Sequence, residues 1–593
     1  MPAATGHRCD AGARARIFVA IAWNCHSEER GTMAETGGVD GPRWYAQTSV
    51  AAPERAPLVQ DADVDVCVIG GGLAGLTVAR EVVRRGWSVV VLEAEKIAWN
   101  ASGRNAGFVA AGFSERIENI VERVGLGRAK QLWALSEQGV DYVRATIRET
   151  GMPGVTPVEG RLIVLRRDAE DELLRHVAMM RVDFGAQLDA WPTQQVRDVL
   201  RSERYFQAVH LPRAFQIHPR NYALGLAAAA EQAGARIFEG TPALAIDSAG
   251  VRKRIDTPKG RVRAGHVVLA GGAHLGSVFR AVSDTLLPVS SYMAVTAPLG
   301  EALSEAVRYR GSVSDTRRGG DYYRIVEGDR LLWGSRISTR ISAPRGLAGA
   351  IERDIRSVYP QLGAVKVDHA WSGLMSYAVH KMPLIGEVTH GVWLAGAFGG
   401  HGINTTAMAG DLIASAIIAG DDRWRLFSSY ELVWTGGAWG RAAAQILFWA
   451  RRLQDVVSEN LAQRRDSARQ RATAQARREA AAHERRTAEA VEHSAAEDAV
   501  RAAAEESAQH FAAAQRSAAQ LSRQAGVQAK QPRRISEVVA AHNVELLRPA
   551  RTGGEAESGD QGGHGSERAP AAPAEPAAPR PRATKPSRKA KRT

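Results

Sequence analysis

Between residues 63 and 455 short β-branched runs alternate with alanine-rich stretches of helical spacing, and the flanking segments lack that rhythm. Residues 64–69 (Val-Asp-Val-Cys-Val-Ile) form an apolar run of the length of a buried strand. Residues 76–85 have helical spacing and stop at Gly86, a residue suited to a helix C-cap. Residues 88–92 form a second strand. Strand and helix in alternation predict α/β architecture. Further along, residues 292–298 and 331–336 read as strands of an antiparallel sheet. Asp321-Tyr322-Tyr323-Arg324 sits on the strand before a Glu327-Gly328-Asp329 hairpin turn.

The flanks differ in kind. Residues 1–62 are polar and punctuated by Pro and Gly, with Trp44-Tyr45 as an aromatic pair, and are expected to be a largely unstructured extension. Residues 456–524 contain no Gly or Pro and are rich in Ala, Arg, Glu and Gln, which favours helix. Leu, Ile, Val, Met and Phe are missing from 462–490, so there is no seam for a stable coiled coil there and a solvated single helix or a partly disordered segment is expected. We set the helical extension at 456–550 and a disordered basic tail at 551–593.

The net charge of +13 is uneven: Arg580, Arg582, Lys585, Arg588, Lys589, Lys591 and Arg592 follow one another with no acid between them. Much of the basicity is therefore a property of the tail, where it predicts a weak, salt-sensitive contact with polyanions. The three cysteines, Cys9, Cys25 and Cys67, are too few and scattered for a disulfide framework or a metal site, which suits a reducing cytoplasm. The apolar stretch at 17–23 is short for a signal-peptide core and runs into charged residues without a small-residue cleavage site, so no export signal is expected. Met33 opens a more plausible beginning.

The first strand runs straight into Gly70-Gly71-Gly72-Leu73-Ala74-Gly75, then the helix, then the second strand ending in Glu93. That is the full context of a dinucleotide fingerprint. Gly70 permits the tight turn, Gly72 lets the backbone approach a pyrophosphate, and Gly75 lets helix and strand pack closely. The helix N-terminus, with Leu73 and Ala74 in its first turn, offers N–H groups to phosphate oxygens. Glu93 is spaced to accept hydrogen bonds from a ribose diol.

The continuation after Glu93-Ala94, ending in Ala101-Ser102-Gly103-Arg104-Asn105-Ala106-Gly107, resembles the D-amino-acid-oxidase-like superfamily of FAD-dependent oxidoreductases, and most of all its gamma-glutamylputrescine oxidase branch. In that family the segment passes beside the FAD pyrophosphate and ring. The resemblance implies that Ser102, Arg104 and Asn105 donate to phosphate and flavin oxygens, and that Gly103, Ala106 and Gly107 allow close approach. Residues 235–241, just before Ala243, are similar to the strand leading to the adenosine side of FAD. Residues 267–273, with Gly271 and Gly272, are similar to the second glycine turn. Residues 392–398 run into Gly399-Gly400-His401-Gly402 and a helix from about 404 to 418, whose N-terminus suits the negative edge of a reduced flavin.

The fold implied is a Rossmann-like FAD-binding domain with an inserted antiparallel-sheet substrate domain, mixed α/β and α+β, followed by the helical extension and tail. The activity implied is oxidation of the C–N bond of an amine or amino acid by hydride transfer to flavin N5, giving an imine that hydrolyses, with oxygen or another acceptor taking the electrons. His401 is the candidate polar group near the flavin. Tyr323 and Arg324 are candidates for an amine or carboxylate pocket, since Arg recognises a carboxylate bidentately, although an ordinary half-buried strand face explains them as well. Trp371 and Met375 stand the same way. Sarcosine oxidases tether FAD through a cysteine ahead of a Pro-x-x-Gly motif. Residues 371–377, ahead of Pro383-Leu384-Ile385-Gly386, contain none, so non-covalent FAD is expected. The strand similar to the one carrying their oxygen-activating lysine, 331–334, has no lysine either. Two alternatives stay open: a D-amino-acid dehydrogenase passing electrons to a quinone or protein, and a flavoprotein that mainly binds through its tail. The oligomeric state is left open.

Overall fold

The computed structural model describes residues 43–524 apart from 318 and 342–343, so the expectations for the first 42 residues, the stretch 525–550 and the basic tail lie outside the described residues. Among these, eight strands form one sheet and nine the other. The first sheet runs Leu384–Thr389, Val392–Gly396, Arg261–Leu269, Ala62–Ile69, Val89–Leu92, Arg236–Phe238. Its four central pairings are parallel, and Leu384–Thr389 adds an antiparallel edge. Val66, Cys67 and Val68 are wholly buried, as expected of a central parallel strand covered on both faces. The helices Leu73–Arg84 and Gly402–Ala419 cross closely: a Cβ on Gly410 would stand 2.5 Å from the Thr77 side chain. The apolar helix Gly402–Ala419 is long enough to cross a membrane, but 78% of it is buried in this core.

The second sheet joins Val367–Tyr377, Leu287–Thr296, Arg330–Ser338, Tyr322–Val326, Ser312–Asp315, Val158–Val164, Ala208–Gln216 and Phe108–Val109, with Asp189–Trp191 at the side. Its pairings are antiparallel except that of Ser312–Asp315 with Val158–Val164. Its strands come from separate parts of the chain, interleaved with those of the first sheet, as the inserted substrate domain requires. Glu327 and Gly328 both have positive φ, the backbone that a tight hairpin turn demands.

Two boundaries differ from expectation. Residues 43–62 are not an unstructured extension: the helix Arg43–Thr48 buries Trp44 and Tyr45. The stretch behind it is pinned by Arg55, which is buried against Glu231 at 2.7 Å. The proposed break at 455 falls inside one helix, Gly437–Gln524. Its early turns are tied to the second sheet: the Gln445 side-chain oxygen accepts from Ser338 Oγ and Thr339 N, each at 2.9 Å. The compact unit ends at Ala476, and the helical residues beyond it have exposed side chains.

Candidate active site

The glycine turn separates residues that pack from residues that face open space. A Cβ on Gly70 (φ +115°) would stand 2.7 Å from Ala270 O, and one on Gly75 would stand 2.0 Å from Gly70 O. Both positions require glycine for the turn itself. Gly72 is extended, and a Cβ there would meet only the Ser102 side chain, at 2.9 Å from Oγ. A side chain would therefore fill the hollow above the helix N-terminus. Glu93 braces the turn: one carboxylate oxygen accepts from Gly71 N at 2.5 Å and the other from Glu95 N at 2.9 Å. Burial raises its pKa and those two N–H groups oppose the rise. Ser102 Oγ accepts from Leu73 N at 3.0 Å.

The segment 101–107 divides likewise. Asn105 donates to the carbonyls of Ala101 and Ser102 and accepts from Gly107 N at 2.8 Å, so most of its amide is spent closing the loop. Arg104 turns to the Trp99 carbonyl at 2.9 Å and stacks on the Trp99 ring. A Cβ on Gly103 would strike Ala98 O, and one on Gly107 (φ +80°) would strike Ile217 O. Gly103, Arg104 and Gly107 thus shape the loop and do not line the cavity. Two aromatics hold the loop from outside: Tyr45 Oη donates to Asn105 O at 2.7 Å and Trp371 Nε1 to Arg104 O at 3.0 Å.

Between the two sheets lies a cavity of about 1470 Å³. Glu93, Ala94 and Ala243 line one end, and Gly70, Gly72, Leu73 and Ala74 follow with Ser102, Asn105 and Ala106. Gly271 and Gly272 come next, and Gly399, Gly400, His401 and Gly402 line the other end. Its volume exceeds that of a drug-sized pocket, so a long dinucleotide and a small substrate fit together. Glycine backbone open to the cavity at Gly72, an acid at the ribose position and a helix N-terminus whose N-cap residue carries no side chain are the features FAD needs.

At the far end the Gly399-Gly400 turn is held by Ser114, whose Oγ accepts from Gly400 N at 2.9 Å and donates to Phe398 O at 3.2 Å. His401 precedes the helix Gly402–Ala419, only partly exposed and that toward the cavity. Burial, helped by the positive charge of Arg161, pushes its pKa down to about 3, so the ring is neutral at pH 7. Arg161, on Val158–Val164, lines the same cavity. It donates to Ser314 Oγ at 3.1 Å, lies over the Phe108 ring, and has a buried Nε without a hydrogen-bond partner among the described residues. Burial lowers its pKa to about 10, which still leaves it charged at neutral pH.

Tyr323 is turned away from the cavity. It stacks on Trp333 with centroids 4.4 Å apart, and its hydroxyl meets those of Tyr205 at 3.1 Å and Tyr359 at 2.5 Å, deep in the other face of the sheet. Strand alternation gives the cavity to its neighbour Tyr322, whose ring lies across Gly334: a Cβ there would be 2.1 Å from it. Arg324 shares that face but stops short of the cavity, beside Tyr45 and His218. Near the mouth, Arg317 pairs with Asp315 and Asp321, and burial beside Asp315 raises the Asp321 pKa. Glu459, from the C-terminal helix, is buried against Arg166 at 2.9 Å and Arg204 at 3.1 Å and lines the same space with Asp455. Of the two tyrosines read as pocket candidates the structure gives the cavity to Tyr322, and Arg161, Ser114 and Glu459 are among the cavity residues that motif reasoning passed over.

A parallel sheet with a glycine-lined nucleotide groove, facing a second sheet that closes a large cavity, defines a dinucleotide-dependent oxidoreductase. The family profile described as FAD dependent oxidoreductase (DAO) matches residues 65–416. The chain belongs to this family and is an FAD-dependent enzyme. It is 30% identical over 382 residues to the probable oxidoreductase OrdL of Haemophilus influenzae, covering 63% of this chain and 88% of that protein. It is also 30% identical over 390 residues to the gamma-glutamylputrescine oxidoreductase of Escherichia coli, covering 65% and 91%. Among solved structures, glycine oxidase from Geobacillus kaustophilus superposes with a TM-score of 0.53 at 21% identity, covering 63% of this chain and 99% of that one. L-amino acid deaminase from Proteus vulgaris superposes with 0.53 at 19%, covering 65% and 100%. These two support the fold.

Proposed function

We propose that the chain oxidises the C–N bond of a small amine that also carries a carboxylate. One observation carries the reading: Arg161, a charged, half-buried side chain of the cavity wall, is a ready site for an anionic group beside the glycine turn at Gly399 and Gly400. Two of the relatives are named for amine-bearing molecules, gamma-glutamylputrescine and glycine, both of which carry a carboxylate.

FAD, when bound, would supply the acceptor for a hydride from the carbon next to the substrate nitrogen. The chain holds it without a covalent bond: the one cysteine among the described residues, Cys67, is buried in the first strand and outside the cavity lining. Gly72, Ser102 and the first turn of the helix at Leu73 would hold the pyrophosphate, Glu93 would hold the ribose, and the N-terminus of Gly402–Ala419 would face the electron-rich edge of the ring. Arg161 fixes the carboxylate, so the reacting carbon is oriented by binding rather than by a strong base. Neutral His401 adds no second charge to compete for the anion. Tyr322 and Phe108 give the apolar wall that excludes water. The resulting imine hydrolyses in water to a carbonyl compound and an amine or ammonia. No lysine lines the cavity among the described residues, which favours the second reading, a dehydrogenase passing electrons to an acceptor other than oxygen. We place the enzyme in the cytoplasm.

Anaerobic titration of the purified yellow protein with amines and amino acids tests the reading. Carboxylate-bearing amines are expected to bleach the flavin absorbance. Bleaching by the corresponding hydroxy acids alone would overturn it. Repeating the turnover in air with peroxide detection separates oxidase from dehydrogenase.

A further inference from the structure

The C-terminal helix has a second side, opposite the one that meets the cavity. From Gly437 to about Leu461, Gln445, Phe448, Asp455 and Glu459 turn toward the protein. The outward positions are Trp439, Ala443, Ile446, Ala450, Leu453 and Val457, whose spacing alternates between four and three residues. Trp439 is 86% exposed, Leu453 66% and Trp449 63%, while Trp434 stands free on the loop just before the helix. Flanking Leu447, Val456 and Leu461 widen the strip to about half the helix circumference, over roughly 33 Å of axis. Large apolar side chains so exposed and so contiguous mark a binding surface.

Its chemistry selects the occupant. Between Trp434 and Arg465 the acids are Asp455 and Glu459, both turned inward; of the five arginines, Arg441 and Arg451 are half-buried, Arg452 stands among the charges of Asp354 and Asp321, and Arg464 and Arg465 are exposed. Arg464 and Arg465 close the strip at its C-terminal end. Tryptophans along an aliphatic face with arginines at its border match the boundary between anionic headgroups and acyl chains. A second copy of the chain suits it less well. Two of the six seam positions are alanine, tryptophan and valine stand where a coiled coil carries flanking charges, and no large aliphatic residue follows Leu461 before Val491. We infer that this face, on residues 434–465, seats the enzyme peripherally on an anionic lipid surface, with the helix lying in the plane of the interface and the cavity on its other side.

Sedimentation of the full-length, FAD-loaded protein with vesicles tests this. It is expected to pellet with an equal mixture of phosphatidylcholine and phosphatidylglycerol, and much less with phosphatidylcholine alone. Trp439→Ser, Leu453→Ser and Val457→Ser combined should leave the protein in the supernatant with unchanged flavin content, since each such side chain is worth roughly tenfold in partitioning. This variant keeps the basic tail, so pelleting equal to that of the parent would assign binding to the tail and overturn the inference. So would failure of the parent to bind vesicles. Light scattering that shows a parent dimer and a monomeric variant, without vesicle binding, would give the face to a second copy.

Discussion

The two walls of the cavity are built on different principles. The cofactor wall is mostly backbone: Gly70, Gly72, Gly271, Gly399 and Gly400 line it, and its few side chains, Glu93 and Ser102, spend hydrogen bonds holding the turn. The substrate wall is made of side chains standing off a sheet, Arg161, Tyr322 and Tyr377 among them. A wall of backbone accepts one ligand shape and tolerates almost no added atom. A wall of side chains can be re-specified one residue at a time without disturbing the fold. The first should therefore control whether FAD is present, and the second which amine is oxidised.

The largest effect is expected on the cofactor wall. Gly72→Val places its side chain in the open hollow beside Ser102, so the protein should fold and purify colourless, which a flavin-to-protein ratio from the absorbance spectrum reads directly. Gly75→Val should instead fail to fold, because its Cβ would collide with Gly70 O. A yellow Gly72→Val protein would remove the contrast between the two glycines.

Next comes the edge of the substrate wall. Truncation after 455 deletes Glu459, which leaves buried Arg166 without its carboxylate partner and half-buried Arg204 without its own. Glu459→Ala should cost about 3 kcal/mol in denaturant unfolding, and truncation after 476 should cost little.

A smaller effect is set by pH. Burial holds the pKa of His401 at about 3 and of His218 at about 4, below the ordinary histidine value near 6.5. A depressed base favours the folded state while neutral, so stability is full above about pH 6.5 and falls as the pH drops toward 4 and then 3. His401→Gln should roughly halve the slope of that curve between about pH 6.5 and 4 and remove it below 4 in thermal melts. The smallest effect is expected at Tyr323→Phe, which removes the hydroxyl contacts with Tyr205 and Tyr359 for about 1 kcal/mol and leaves kcat unchanged.

The same contrast explains what could be read from the sequence. The fingerprint was legible because backbone geometry allows few residues at Gly70, Gly72 and Gly75, and their spacing is rigid. Within 101–107 the segment was located, but the division of labour was not. Whether Asn105 faces phosphate or its own loop depends on the fold of that loop. On the sheet the choice between Tyr322 and Tyr323 is a matter of parity: period two says they point to opposite faces and does not say which face is the cavity. Arg161 lies in Glu159-Gly160-Arg161, which reads as an exposed strand end. Only the closure of the sheets shows it to be enclosed. Trp44 and Tyr45 were masked by the polar residues around them, and Glu459 by a helix in which most of the later acids are solvated.

The substrate wall's governing residue is the place where the account can be broken most directly. Steady-state kcat/KM would be compared for an amino acid and for the same amine lacking the carboxylate, in the parent enzyme and in Arg161→Met, with flavin content checked in both. A charged bidentate contact is worth roughly 2–3 kcal/mol, so the parent should prefer the carboxylated substrate by about 30- to 150-fold, and Arg161→Met should erase that preference while remaining fully yellow. An undiminished preference in Arg161→Met would contradict the assignment of the substrate's anionic end to Arg161.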